Sequence, residues 1–374
     1  MKKIVVLGAG MVGRAIALDM MKRCNVTVVD INPDNLSKLE QDSQLITIEQ
    51  NLAEKAGLDR VLAPADLVIS AVPGSMGFET LKRVIENRKN VVDIAFFPED
   101  AFELDDLARK NHVAAIVDCG VAPGMSNLLL GYHNQDMQID TFKCFVGGLP
   151  VERRWPFEYK APFSPADVIE EYTRPARFVE NGKIVVKEAL SDPELIDFER
   201  IGTLEAFNTD GLRSLIKTIN APNMIEKTLR YPGHIDKIRV LKESGFFSSD
   251  AMDIGGTIVT PLELSSQLLF KQWKLGDMEE EFTVMRIIIS GTENSRPKTY
   301  IYNMLDYFDP VTKISSMART TGYTCTAAAN FILDGRFQRK GICPPEYIGE
   351  NTESVNYILD YLKNRNVVYT MTEN

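Results

Sequence analysis

Residues 1–30, MKKIVVLGAGMVGRAIALDMMKRCNVTVVD, decide the fold. The apolar run Ile4 to Leu7 reads as a buried parallel strand, and it opens directly into Gly8, Gly10 and Gly13 at the head of an amphipathic helix. In such a strand–turn–helix the first glycine permits the tight turn, the second lets the backbone approach a pyrophosphate, and the third lets helix and strand pack closely. The helix start offers unpaired N–H groups and a positive dipole end to phosphate. A second run, Val26 to Val29, ends at Asp30, where a carboxylate can accept hydrogen bonds from an adenosine ribose. Strand, turn, helix and acid agree on a dinucleotide-binding βαβ unit. Ile31-Asn32-Pro33 follows, with no basic residue for a 2′-phosphate, so the cofactor expected is NAD. Asp30 can equally cap the next helix, as can Asn32 and Asp34.

Outward from this unit, strand and helix alternate through the first third of the chain, which calls for a parallel sheet covered on both faces. Further strands are expected at Leu45 to Ile48, Leu67 to Val72, Val91-Val92 and Ala114 to Val117. Helices are expected at Gly77 to Glu86 and from Pro98 to about Asn111. Ligands of an open parallel sheet sit outside the carboxyl ends of its strands. Ala71, Val72 and Pro73, then Asp93, then Asp118, are therefore expected to line the nicotinamide half of the cleft, while Met11, Val12, Ile31 and Phe78 pack around the cofactor.

Beyond Gly120 the pattern changes. Thr141 to Val146, Glu281 to Ser290 and Lys298 to Asp306 alternate as in an antiparallel or mixed sheet. Helical spacing appears at Pro165 to Tyr172, Leu212 to Ile219, Ile235 to Glu243 and Pro261 to Trp273. The expected architecture is α/β: a doubly wound parallel sheet over residues 1–122, an α+β domain over 123–314, and a segment, 315–374, that returns to the first domain. That last segment holds helices at Ser315 to Leu333 and Thr352 to Lys363 and a closing strand at Val367 to Thr370.

The chain has 374 residues, 44% of them hydrophobic, enough for two domains with their own cores. A net charge of −10 with no basic stripe argues against a nucleic-acid partner. The longest apolar runs are strand-length, so neither a membrane span nor a signal peptide is expected, and the location expected is cytoplasmic. The five cysteines show no zinc-type spacing, and the three histidines lie far apart. No metal is expected.

Six stretches carry a family resemblance: Asp118 to Asn127 (DCGVAPGMSN), Phe145 to Pro150 (FVGGLP), Glu171 to Ala176 (EYTRPA), Glu205 to Phe207 (EAF), Asp210 to Ser214 (DGLRS) and Thr228 to His234 (TLRYPGH). Together they resemble the saccharopine dehydrogenase-like family over nearly the whole chain, most of all its L-lysine 6-dehydrogenase branch. The resemblance implies a Rossmann domain, an inserted α+β domain carrying much of the substrate site and the contact of a homodimer, and oxidation of a C–N bond at the ε-nitrogen of a small lysine-type substrate. Saccharopine reductases of the family typically carry an acid in a GxDPG turn, whereas this chain has Gly120-Val121-Ala122-Pro123-Gly124, which favours free lysine.

Oxidation at the ε-carbon requires the ammonium, with a free pKa of about 10.4, to lose its proton, and water then to attack the iminium. Asp93 and Asp118 can hold the cationic nitrogen or relay its proton, or each can cap the next helix. His234, after Gly233, can assist proton transfer or be held structurally at its helix start. Arg230 is the preferred binder of the α-carboxylate because its planar fork matches a carboxylate in two bonds. Lys160 and Arg174 are alternatives for that task. Tyr159, Thr209 and Asp210 are candidates to line the substrate site, Asp210 suiting an α-ammonium or an N-cap.

Overall fold

The computed structural model describes residues 1–40 and 42–374, and the chain falls into two compact units: Met1–Gln135 with Met317–Val368, and Asp136–Ser316 with Tyr369–Asn374.

The first unit is built on strands β1 (Lys3–Leu7), β2 (Asn25–Asp30), β3 (Leu45–Glu49), β4 (Leu67–Ser70), β5 (Val91–Asp93) and β6 (Ala114–Ile116). With a seventh strand, Gly341–Cys343, they form one parallel sheet in the order Gly341–Cys343, β6, β5, β4, β1, β2, β3. The order reverses between β1 and β4, the topological switch point at which doubly wound sheets bind ligands. The inner strands are continuous apolar runs, as burial on both faces demands: β4, β5 and β6 are buried throughout. Helix α1 (Met11–Met20) and the helix Gly74–Glu86 follow β1 and β4.

The returning segment is tied to α1 by one acid. Asp19 is 3% exposed, and its carboxylate accepts from the Thr326 and Tyr361 hydroxyls at 2.7 Å each and from Arg365 Nε at 2.9 Å. Burial opposes its charge, yet Arg365 and the two hydroxyls hold the carboxyl below its ordinary value.

The second unit carries a nine-stranded mixed sheet. Its central strand, Met137–Pro150, pairs in parallel with Asn223–Arg230 and antiparallel with Glu281–Glu293, which pairs with Arg296–Tyr307. Side chains alternate across such a sheet. Phe145, Leu149, Leu204, Ala206, Leu229, Phe282 and Val284 accordingly form a core on one face. Along Asn223–Arg230 the residues Glu226, Thr228 and Arg230 therefore fall on the other face. Helices Pro165–Thr173, His234–Glu243 and Pro261–Trp273 contribute to an aromatic core with Tyr159, Tyr172, Phe207 and Trp273.

Several elements differ from expectation. The closing strand is Tyr369–Glu373 and joins the second sheet, pairing Tyr369 with Met304. Gly341–Cys343 was not expected as a strand because three residues show no period, although Ile342 is 1% exposed. Only Leu215–Thr218 of the expected helix Leu212 to Ile219 forms. The helix expected from Pro98 starts as a 3-10 turn at Ala101–Leu104, where the Asp100 side chain accepts from the Phe102 N–H at 3.1 Å, and continues as Asp105–Lys110. Among the described residues, no helix is long and apolar enough to cross a membrane, and no three His, Cys, Asp or Glu side chains are placed to hold a metal.

Candidate active site

The glycine turn after β1 separates two requirements. A Cβ on Gly8, whose φ is +100°, would lie 2.4 Å from the Ala71 carbonyl oxygen, and one on Gly13 would lie 2.1 Å from that of Gly8. The protein's own packing therefore demands both glycines. A Cβ on Gly10 would meet nothing within 4 Å, so the protein's own packing does not demand glycine there. Helix α1 starts at Gly10 with no side-chain cap and no acid in its first turn, which leaves its N–H groups for an anion.

Asp30 Oδ2 accepts from the Ala9 N–H at 2.6 Å and from Asn35 Nδ2 at 3.4 Å, and Oδ1 accepts from the Asn32 N–H at 2.8 Å. An ionised carboxylate has about four lone-pair sites, so these bonds fix its position against the glycine turn without exhausting it. The cap of the helix Pro33–Ser37 is Asn32, which accepts from the Asp34 N–H at 2.9 Å, so Asp30 does not cap it. Ile31 and Met11 are 61% and 39% exposed, apolar side chains turned to the outside within the same unit. These residues fit a dinucleotide: turn, uncapped helix and acid each present the chemistry its phosphates and ribose need.

At the carboxyl ends of β4, β5 and β6 the backbone is laced together. The Ile94 N–H donates to the Ser70 carbonyl and the Cys119 N–H to the Asp93 carbonyl, each at 3.0 Å. Asp93 is 0% and Asp118 5% exposed. Asp93 Oδ2 accepts from the Ala95 N–H at 3.2 Å, and Asp118 has a φ of +52°, a conformation that Asp tolerates better than most residues. The buried Ser70 hydroxyl has no hydrogen-bond partner among the described residues. Burial, then the charges of Asp118 and Asp93, push the Cys119 thiol far up, so it is no nucleophile. Beyond Asp118, Ala122-Pro123 is a cis peptide bond, and Asn127 holds the Gly124 N–H at 3.3 Å.

In the second unit, three of the expected residues meet in one buried network. Arg230, 2% exposed, donates from Nη2 to Glu171 Oε2 at 2.9 Å and to the Tyr159 hydroxyl at 3.3 Å, and from Nε to the Tyr172 hydroxyl at 3.0 Å. Its guanidinium stands 4.3 Å from the centre of the Tyr159 ring. His234 Nδ1 lies 2.9 Å from the Phe157 carbonyl, which can only accept, so the proton sits on Nδ1. Nε2 then accepts from the Tyr172 hydroxyl at 2.9 Å. Burial, with Arg230 nearby, drives the imidazole down to about 3, and it is neutral at any physiological pH. Burial pushes the Glu171 carboxyl above its ordinary value even beside Arg230, and raises the Tyr172 phenol to about 12.

The remaining expected residues stand apart from this network. Asp210 is gripped by Arg177, with Nε to Oδ1 and Nη2 to Oδ2 both at 2.8 Å. The Thr209 hydroxyl bonds that of Thr228 at 2.9 Å. Lys160 lies 3.7 Å from Glu279 and donates to the Lys274 carbonyl at 3.4 Å, and Arg174 pairs with Glu170. Sequence reasoning gave no role to Glu171, Tyr172 or Arg177. Glu171 and Tyr172 lay inside a stretch that carried the resemblance, and that was the available signal.

Two family models match the chain, one describing the saccharopine dehydrogenase NADP binding domain over residues 4–116, the other the saccharopine dehydrogenase C-terminal domain over residues 120–368. The chain belongs to the saccharopine dehydrogenase family. It is thus an oxidoreductase of that family with a pyridine-nucleotide-binding half. Among its relatives, the saccharopine dehydrogenases (NADP(+), L-glutamate-forming) of Pyricularia oryzae and Saccharomyces cerevisiae are each 24% identical, covering 92% of this chain and 93% and 94% of their own. The mitochondrial alpha-aminoadipic semialdehyde synthase of Mus musculus is 22% identical over 98% of this chain but 47% of its own length. The apo saccharopine dehydrogenase structure from S. cerevisiae shares the fold over 100% of both chains, with a TM-score of 0.81 at 20% identity. A Legionella pneumophila homospermidine synthase in complex with NAD matches over 100% of this chain and 91% of its own, with a TM-score of 0.71 at 12% identity.

Proposed function

We propose that this saccharopine dehydrogenase-family oxidoreductase deaminates L-lysine at its ε-carbon with NAD, giving 2-aminoadipate 6-semialdehyde (allysine) and ammonia. The observation that carries this reading is the way the second unit answers its positive charges. Arg230 pairs with Glu171, Arg177 with Asp210, Arg174 with Glu170 and Lys160 with Glu279. Saccharopine brings three carboxylates and would need several of these cations released, which for the buried Arg230 carries a high desolvation cost. Lysine brings one. Ala122 in the Gly120–Gly124 turn and the absence of a base after Asp30 support the same choice of substrate and cofactor.

The glycine turn, Asp30 and the ends of β4 to β6 would hold the dinucleotide, whose nicotinamide would supply the hydride acceptor. Asp93 and Asp118 hold the substrate nitrogen and move its proton, which must leave before the ε-carbon can be oxidised. Arg230 takes the α-carboxylate in place of Glu171, whose buried carboxyl already resists charge. His234, neutral and donated to by Tyr172, orients that phenol and through it Arg230.

The NADP-dependent relatives favour a second reading, a saccharopine dehydrogenase acting on the secondary amine. Absorbance at 340 nm with lysine or saccharopine, each with NAD or NADP, separates the two. The expected result is turnover with lysine and NAD, with Asp30→Ala narrowing the gap between cofactors. Turnover with saccharopine and NADP alone would favour the second reading.

A further inference from the structure

The turn that follows β6 is closed by its own backbone and held by a buried acid from far along the chain. Within it the Gly120 N–H donates to the Pro123 carbonyl and the Met125 N–H to the Gly120 carbonyl, each at 3.1 Å. A Cβ on Gly124 would lie 1.8 Å from the Gly120 carbonyl oxygen, so the turn has no slack. Asp118 stands two residues before Gly120, and whatever fixes Gly120–Gly124 also fixes the backbone that carries its carboxylate. Asn127, 0% exposed, reaches this turn from the first turn of the helix Met125–His133. Its Oδ1 accepts from the Gly124 N–H at 3.3 Å and from the Ser126 hydroxyl at 3.1 Å, and its Nδ2 donates to Glu346 Oε2 at 3.2 Å.

Glu346, 1% exposed, comes from the helix Pro345–Gly349 that follows the strand Gly341–Cys343 in the same unit. The two helices meet backbone to backbone: a Cβ on Gly131 would lie 2.2 Å from the Glu346 carbonyl oxygen, and one on Gly349 2.1 Å from that of Leu128. Packing this close needs no charge, and a carboxylate withdrawn from water is costly unless hydrogen bonds answer it. What a carboxylate adds is direction. Ionised, it only accepts, so the Asn127 amide must turn its NH2 toward Glu346 and its oxygen toward the Gly124 N–H. A glutamine at that place offers either end, and the amide loses its fixed sense. We propose that Glu346 is a positioning residue for the reaction: through the sense of the Asn127 amide it holds the Gly120–Gly124 turn, and with it Asp118. This rests on the reading that the ends of β4 to β6 face the nicotinamide.

Glu346→Gln and the exchange pair Asn127→Asp with Glu346→Gln test it in the full chain. The pair moves the acceptor-only group to position 127 and a donor to position 346, so the Gly124 N–H keeps its acceptor and the net charge is unchanged. Turnover is measured with whichever of lysine or saccharopine the wild type accepts, and hydrogen exchange of residues 120–128 is followed by mass spectrometry. Glu346→Gln should lower kcat about ten- to a hundredfold, with KM and dinucleotide Kd within about twofold of wild type. Exchange at the Gly124 amide should quicken about tenfold. The pair should restore both. If Glu346→Gln does not fold, the pair is read alone: kcat near that of the wild type supports the proposal and a loss overturns it. Unchanged exchange in Glu346→Gln, or a pair no better than the single variant, would overturn the proposal. Faster exchange at an unchanged kcat would overturn its catalytic half, and with it the reading that Asp118 works at the nicotinamide.

Discussion

The candidate ligand-binding groups of the two units are held in opposite ways. In the first, the groups suited to a ligand are backbone ends and short-range carboxylates: an uncapped helix start at Gly10, Asp30 beside the Ala9 N–H, and Asp93 and Asp118 at strand termini. In the second, charged side chains already hold one another, the buried Arg230 holding Glu171 and the half-exposed Arg177 holding the buried Asp210. The lesson is that a nucleotide site can be left open at little cost because peptide groups at the surface are solvated when no ligand is present. A buried guanidinium cannot wait unpaired, so the protein keeps the Glu171 carboxylate at Arg230.

Breaking the second kind of arrangement has the largest expected effect. Arg230→Met takes the paired cation away from Glu171 and the guanidinium donor away from the Tyr159 and Tyr172 hydroxyls, and should cost about 3–5 kcal/mol in denaturant unfolding. Adding Glu171→Gln should recover part of that loss, since no carboxyl is then left without its cation. If Arg230→Met alone is nearly neutral, the network is not what holds these elements together.

The glycine turn sharpens the contrast from the other side. Gly13→Ala forces a backbone shift against the Gly8 carbonyl and should destabilise the first unit by about 1–3 kcal/mol, seen as a lower melting temperature. Gly10→Ala has room and should leave the melting temperature unchanged while weakening dinucleotide binding about tenfold, ~1.4 kcal/mol. Equal melting losses in both would mean that Gly10 too serves the fold.

A smaller effect depends on pH. His234 has a folded value of about 3 against 6.5 when free. Its folded pKa is depressed, so its contribution is complete above about 6.5 and drains away as pH falls through the window down to about 3. From pH 7 to pH 5 the protein should lose about 2 kcal/mol through this one group. His234→Gln should lose correspondingly less over the same interval in denaturant titrations. An unchanged slope would mean that the imidazole is not buried neutral.

The same comparison explains what was legible in the sequence. The parallel sheet and its ligand-facing turns rest on spacings within about thirty residues, and β1, α1, β2 and Asp30 could be read directly. The pairs of the second unit join residues far apart: Arg230 and Glu171 are 59 positions apart, and Arg177 and Asp210 are 33. Sequence analysis therefore offered Arg230 and Asp210 to a substrate without seeing the residues that engage them. Strands Lys183–Lys187 and Glu194–Phe198 were missed because Ile184, Val186 and Leu195 are more than half exposed, so no buried face marks them. One signal was present and unused: Asn181-Gly182, with φ values of +51° and +74°, is the two-residue turn that closes a hairpin between Ala176–Glu180 and Lys183–Lys187.

The central claim is oxidation at the ε-carbon of free lysine, and the most direct measurement follows the nitrogen. With NAD and lysine labelled with nitrogen-15 only at the ε-position, the protein should release labelled ammonia in step with NADH and an aldehyde that can be trapped, with turnover rising toward alkaline pH as the substrate ammonium deprotonates. Unlabelled ammonia would place the reaction at the α-carbon. No ammonia from lysine, together with turnover of saccharopine to glutamate, would contradict the account.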